Sequence, residues 1–235
     1  MRLATLLVSR VRPTACDFTS RAAADAHGAS ILCAVDVEAV EVFTSVLALG
    51  AAALAIAVLL GRVLRGRSGL LDDVMVALDD AALWLAWLVA AVAMAGSLYF
   101  SEVADFVPCR WCWFQRVAMY PLAMILLVAA LRRDRAVRWY VVPVAAIGAC
   151  ISLYHYTIEW RPSLEIGSCA AFGPSCSDVW FRRFGFVTLS FMALCGFVAI
   201  IVLATTPSTA LEPDEAGERP PDNGPGNGPD NGVES

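Results

Sequence analysis

Five apolar stretches punctuate the chain, near residues 40–60, 81–100, 115–131, 139–157 and 186–204. Each approaches the ~20 residues that a helix needs to cross a bilayer. Polar or charged residues separate them, and no long soluble segment remains once they are removed. The pattern predicts an all-α integral membrane protein with five spanning helices.

Composition agrees. Residues are 59% hydrophobic and 17% charged, against about 25% charged in a soluble domain. The formal net charge of −5 misdescribes the membrane part. Residues 206–235 hold Glu212, Asp214, Glu215, Glu218, Asp222, Asp230 and Glu234 against Arg219 alone, so the rest is close to neutral. This acidic, Asn-Gly-Pro-rich tail cannot bury a core and is expected to be disordered.

All basic residues are arginines, and their placement predicts orientation. Loops 61–80 and 132–138 carry Arg62, Arg65, Arg67, Arg132, Arg133, Arg135 and Arg138. Loops 101–111 and 158–185 carry Arg110, Arg161, Arg182 and Arg183. By the positive-inside rule the first two loops and the tail are cytoplasmic, and the other two face out. The seven tryptophans fall near predicted helix ends, as an interfacial belt requires.

Residues 1–34 do not fit this scheme. The run Leu3–Val8 is too short for a signal sequence or a span. Arg2, Arg10, Arg12 and Arg21 would sit outside, against the charge rule. A true start near Val35 would leave Asp36, Glu38 and Glu41 as an acidic N-tail; abundant tryptic peptides from 1–34 would refute it. Segment 175–185 alternates apolar and charged residues too briefly to span. It is expected to form an interfacial helix anchored by Trp180 and Phe181 and ended by Gly185.

The chemistry concentrates in cysteines. Cys109 and Cys112 form a Cys-x-x-Cys pair where a polar loop enters an apolar segment. A helix N-terminus carries partial positive charge, which stabilises a thiolate. The two-residue spacer suits thiol exchange, with a passive structural disulfide as the alternative. Cys169 and Cys176 lie in a polar loop on the same predicted side. A disulfide there could meet a large partner and swing to the helix bundle, or merely staple the loop. A zinc site from all four is the rival chemistry, opposed by an oxidising outer compartment; no metal is expected. Cys150 and Cys195 read as small core residues. Cys16 and Cys33 are assigned no role.

Arg116 lies about one turn inside the membrane, where an unpaired arginine costs roughly 2.5–3.5 kcal/mol at full depth. It either snorkels to head groups or, beside Cys112, holds the carbonyl oxygen of a membrane-soluble electron carrier. In the second role it would stabilise charge that develops on reduction. Gln115 could add a hydrogen bond, and Trp113 could stack on a flat ring, as could Trp111, Phe114 and Tyr120. His155 and Tyr154 close the fourth span at the depth of the Cys pair. Glu159 and Glu165 read as solvated loop residues.

The motif Cys-x-x-Cys-x-x-Gln-Arg, then Met-Tyr-Pro-Leu (119–122), Leu-Tyr-His-Tyr (153–156), the loop cysteines and Phe-Gly-Phe-Val-Thr-Leu (184–189), resembles the disulfide bond formation protein B family (DsbB, and BdbC in Gram-positive bacteria). The resemblance implies a four-helix transmembrane bundle over residues 81–205. Residues 40–60 then form an extra N-terminal helix, 1–39 a leading segment and 206–235 a cytoplasmic tail.

It further implies a plasma-membrane enzyme that reoxidises an extracytoplasmic thioredoxin-fold dithiol oxidase (DsbA/BdbD-like) and passes the electrons to membrane quinone, menaquinone or ubiquinone. The partner's thiolate would attack Cys169, Cys176 would relay to Cys109, and Cys112 would face the quinone beside Arg116. Gln115, Trp113 and His155 complete the expected quinone contacts. The lipid bilayer is a partner; nucleic acid is not. Vitamin K epoxide reductases share the bundle but place the loop pair before the membrane pair, the reverse of the order here. An outward-directed thiol reductase and a zinc-binding scaffold are the remaining alternatives. Three departures stand out: the extra helix, Ser190 where proline is expected, and a short loop between the second pair.

Overall fold

The computed structural model describes residues 37–165 and 174–206; Leu71's side chain also lies outside the description. The leading segment with Cys16 and Cys33, the tail from residue 207, and Cys169 therefore fall outside the described residues.

The apolar stretches become α1 (Val37–Leu64), α2 (Gly69–Glu102), α3 (Arg110–Arg132), α4 (Arg138–Trp160) and α5 (Leu189–Ala204). Four segments, Val37–Leu64, Asp72–Glu102, Arg110–Arg132 and Arg135–Trp160, are long and apolar enough to cross a membrane. The fifth predicted span is a shorter apolar helix of 16 residues, about 24 Å of axis. The chain is thus an all-α, multi-pass membrane protein. Helix α2 packs on α3, α3 on α4, α4 on α5 and α5 back on α2, closing a four-helix ring. Helix α1 lies outside it, mainly against α5.

Local chemistry sets the ends. Cys109 is the N-cap of α3, its Sγ accepting the Cys112 N–H at 3.4 Å. Thr188 caps α5 by accepting from the Phe191 N–H at 3.3 Å. Arg133 closes α3 at φ 54°. Ser190 fits without a proline: its Oγ lies 3.0 Å from Thr188 Oγ1, buried inside the cap.

Three expectations are corrected. The predicted loop 61–80 shrinks to the turn between α1 and α2, because residues 69–80 continue as helix. Asp79, fully buried there, pairs with Arg65, and Arg135 donates to its carbonyl, so charges that suggested a loop are drawn together inside the fold. Trp84 and Trp87 consequently sit well inside α2 rather than at its end. Segment 175–185 is not helical. Arg183 and Val187 form an isolated antiparallel bridge around a turn in which Phe184 and Gly185 take φ 52° and 81°. Left-handed backbone at successive residues is incompatible with a helix.

The main core joins Leu122 and Leu126 of α3 to Phe197, Ile200 and Leu203 of α5. Gly148 lets α4 approach closely: a Cβ there would overlap the Phe197 ring. Gly148→Ala should destabilise the bundle by about 1–3 kcal/mol, read as a lowered melting temperature in detergent. Cys195 is buried as expected, whereas Cys150 is exposed.

Candidate redox site and cavity

Cys109 has extended backbone where α3 begins and caps the helix through its own sulfur, so the cap and the first helical turn fix both thiols. Cys109 Sγ and Cys112 Sγ lie 3.1 Å apart. Cys109 is buried, and its thiol pKa is pushed up to about 12, chiefly by its hydrogen bond to Cys112 and then by burial.

The loop after α4 returns to this point. Cys176, fully buried, clusters with Cys109 and Ile158, with Trp111, Cys112 and Tyr154 packed around them. His155 Nε2 lies 3.6 Å from Cys109 Sγ and 3.2 Å from the Cys176 carbonyl oxygen. Gln115 Nε2 is 3.3 Å from His155 Nδ1. An amide NH2 only donates, so Nδ1 accepts and the ring hydrogen sits on Nε2, aimed at the Cys176 carbonyl. This tautomer follows from the hydrogen-bond network.

Glu159 corrects an expectation. Its side chain is buried: Oε2 accepts from Thr188 Oγ1 at 2.7 Å and Oε1 lies 3.9 Å from His155 Nε2. The i,i+4 spacing from His155 was the available signal, since it puts both on one helix face. Glu165, by contrast, accepts from Ser175 at the loop surface.

On the other side of Cys112 lies a cavity of about 730 Å³ bounded by α1, α2, α3 and α5. Its walls are apolar except near the start of α3, where Cys112, Gln115 and Arg116 meet Ser97 and Tyr120. Arg116 Nη2 donates to the Ser97 carbonyl at 3.0 Å, and its guanidinium sits 5.4 Å from the Trp113 ring centroid. A guanidinium carries five N–H groups; this is its one hydrogen bond among the described residues, which leaves donors for a ligand oxygen. A large apolar chamber with one cationic, hydrogen-bonding end fits a flat carbonyl-bearing ring with a hydrocarbon tail.

The predicted site residues thus divide. Cys112, Gln115 and Arg116 line the cavity, while Trp113 is 56% exposed and carries Arg116 from behind. His155 lies on the Cys109 side of the pair, away from the cavity lining. The sequence reading missed Ser97, Glu159 and Trp180. Trp180 stacks on Phe106 at 4.8 Å, and both line the cavity, so the Cys176 loop reaches its edge. Cys109, Cys112 and His155 also bring three ligand atoms within 4.8 Å of one another, a set able to hold a soft metal ion.

The family model described as disulfide bond formation protein DsbB matches residues 79–206. Disulfide bond formation protein C of Bacillus subtilis (strain 168) is 46% identical over 121 residues, 51% of this chain and 87% of that protein. Probable disulfide formation protein C 1 of Bacillus anthracis is 44% identical over 124 residues, covering 53% and 89%. Probable disulfide formation protein of Coxiella burnetii (strain CbuK_Q154) is 38% identical over 128 residues, covering 54% and 85%. No solved structure matches. The chain is a member of the disulfide bond formation protein DsbB family.

Proposed function

We propose that this protein is a membrane thiol:quinone oxidoreductase that reoxidises an extracytoplasmic thioredoxin-fold dithiol oxidase and so sustains disulfide formation in exported proteins. One observation carries the reading. Cys112 borders two spaces at once: the buried pocket with Cys109, His155 and Glu159, and the apolar cavity with Arg116. A thiol in that position can take electrons from sulfur on one side and give them up on the other.

A partner thiolate attacks Cys169 of a Cys169–Cys176 disulfide, and the partner's second thiol resolves the mixed disulfide, leaving the partner oxidised and the loop pair reduced. The Cys176 thiolate then attacks Cys109 of a Cys109–Cys112 disulfide and expels Cys112 as thiolate; Cys169 resolves that bond. The loop disulfide is restored and the membrane pair now holds the two electrons. A quinone seated in the cavity beside Arg116 would supply a two-electron, two-proton acceptor, so that the Cys109–Cys112 disulfide re-forms as the membrane pair gives up its electrons. Arg116 would hold the ring oxygen, Gln115 orients His155, and His155 with Glu159 handles the Cys109 proton. The arginine distribution supports an extracytoplasmic redox end and a cytoplasmic tail.

The reduced pair has a pH signature. With its thiol pushed up to about 12 by the Cys112 hydrogen bond and by burial, Cys109 keeps its proton at the pH where an ordinary thiol begins to ionise. At about pH 8, close to an unperturbed thiol pKa, iodoacetamide should leave Cys109 unlabelled in the native reduced protein and label it after unfolding. Native labelling at the rate of a free thiol would contradict this.

The three clustered donor atoms favour one rival, a zinc-binding scaffold. Alkylation followed by intact mass spectrometry separates the two. The oxidase reading expects disulfides in the isolated protein that disappear on anaerobic addition of a reduced thioredoxin-fold dithiol protein. Stoichiometric zinc with all four thiols free would support the scaffold instead.

A further inference from the structure

Helix α1 ends before residue 79, where the family match begins, yet it builds one wall of the cavity. It is fastened at both ends. At the redox end Arg183 pairs with Glu38 at 2.8 Å and Glu41 at 2.7 Å. At the far end Arg62 donates to the Val202 carbonyl at 2.6 Å. Between these ties α1 follows α5 and meets α2 at two points, Thr44 near Gly96 and Gly61 against Met75, with the gap between them.

The gap between α1 and α2 is the open side of the chamber. Its rim residues Val46 and Leu88 are 52% and 50% exposed. Gly50 also lines it, and a Cβ there would meet nothing within 4 Å. All three lie inside segments apolar enough to span a membrane. The opening therefore faces hydrocarbon, not water. From Thr44 to Leu54 the α1 wall runs about 15 Å along the helix axis. It leads away from the polar end at Arg116, and beyond Thr44 its lining residues are apolar.

We propose that the α1–α2 gap is a lateral portal in which the hydrocarbon tail of a lipid-soluble quinone lies, and that α1 makes the protein selective for long-tailed acceptors. This rests on the quinone reading above and extends it to the tail. Lipid is as apolar as the portal wall, so the tail gains little from burial itself. Shape does the selecting: close contacts along the wall hold the tail in line with the ring.

The test measures anaerobic quinone reduction by the full chain in lipid nanodiscs, with a reduced thioredoxin-fold dithiol protein as donor. A long isoprenoid quinone is compared with a tail-less analogue of the same ring. Gly50→Trp, and separately Leu88→Trp from the opposite rim, should raise KM for the long-tailed quinone about tenfold and leave tail-less turnover at the wild-type rate. An unchanged ratio of the two KM values in variants active with the tail-less quinone overturns the portal.

A second measurement needs no variant. A quinone with a diazirine at mid-tail, photolysed in the wild-type protein, should mark residues of α1 and α2 around the gap. Adducts only on other helices, or none, overturn the proposal. Wild-type protein that reduces neither quinone overturns the quinone reading itself and the portal with it, a result distinct from loss of tail selectivity alone.

Discussion

Cys112→Ser is expected to abolish quinone reduction while sparing the first thiol exchange with the partner. Cys112 is the one cysteine among the described residues that borders the large cavity. On the proposed path it is also the leaving group when Cys176 attacks Cys109. A serine preserves the size of the side chain and the N-terminal turn, but its oxygen cannot form the disulfide that stores two electrons. Turnover with quinone should fall below detection. The loop pair should still trap a mixed disulfide with a partner lacking its resolving cysteine, visible on a non-reducing gel. Quinone reduction by the variant at the wild-type rate would remove Cys112 from the path.

Arg116→Ala should be the next largest effect, and it should fall on the acceptor alone. The guanidinium is held by the Ser97 carbonyl at 3.0 Å and by the Trp113 ring, so it is already aimed before a ligand arrives. Losing a hydrogen bond from a charged group removes about 1.5–3 kcal/mol, which corresponds to roughly ten- to a hundredfold in kcat/KM for quinone. Mixed-disulfide formation with the partner should be unchanged. Arg116→Lys should recover only part of the loss, because an ammonium keeps the charge without the planar fork or the stacking on Trp113. Equal kcat/KM in wild type and Arg116→Ala would show that the arginine serves only the lipid interface.

The spans were legible because apolar runs of membrane length have few other meanings, and Cys112, Gln115 and Arg116 were legible together because i, i+3 and i+4 share a helix face. What stayed hidden depended on partners far away in the chain. Asp79 looked like a loop residue until Arg65 and Arg135 met it in the fold. Glu159 looked solvated because Thr188, which donates to it, follows a long loop. The turn at Phe184 and Gly185 broke an apparent amphipathic helix through backbone conformation, which side-chain alternation does not record. Nothing in residues 40–60 reveals that they wall the cavity; that is decided by the packing of α1 on α5.

On the proposed path, electrons from protein thiols reach a quinone through this pair of cysteines. The most direct measurement mixes the purified chain, without oxygen, with a reduced thioredoxin-fold dithiol protein and an isoprenoid quinone, following quinone absorbance and free thiols together. One disulfide should be made for each quinone reduced, continuing over many turnovers. Thiols that disappear without quinone reduction, or quinone that stays oxidised beside a fully reduced donor, would contradict it.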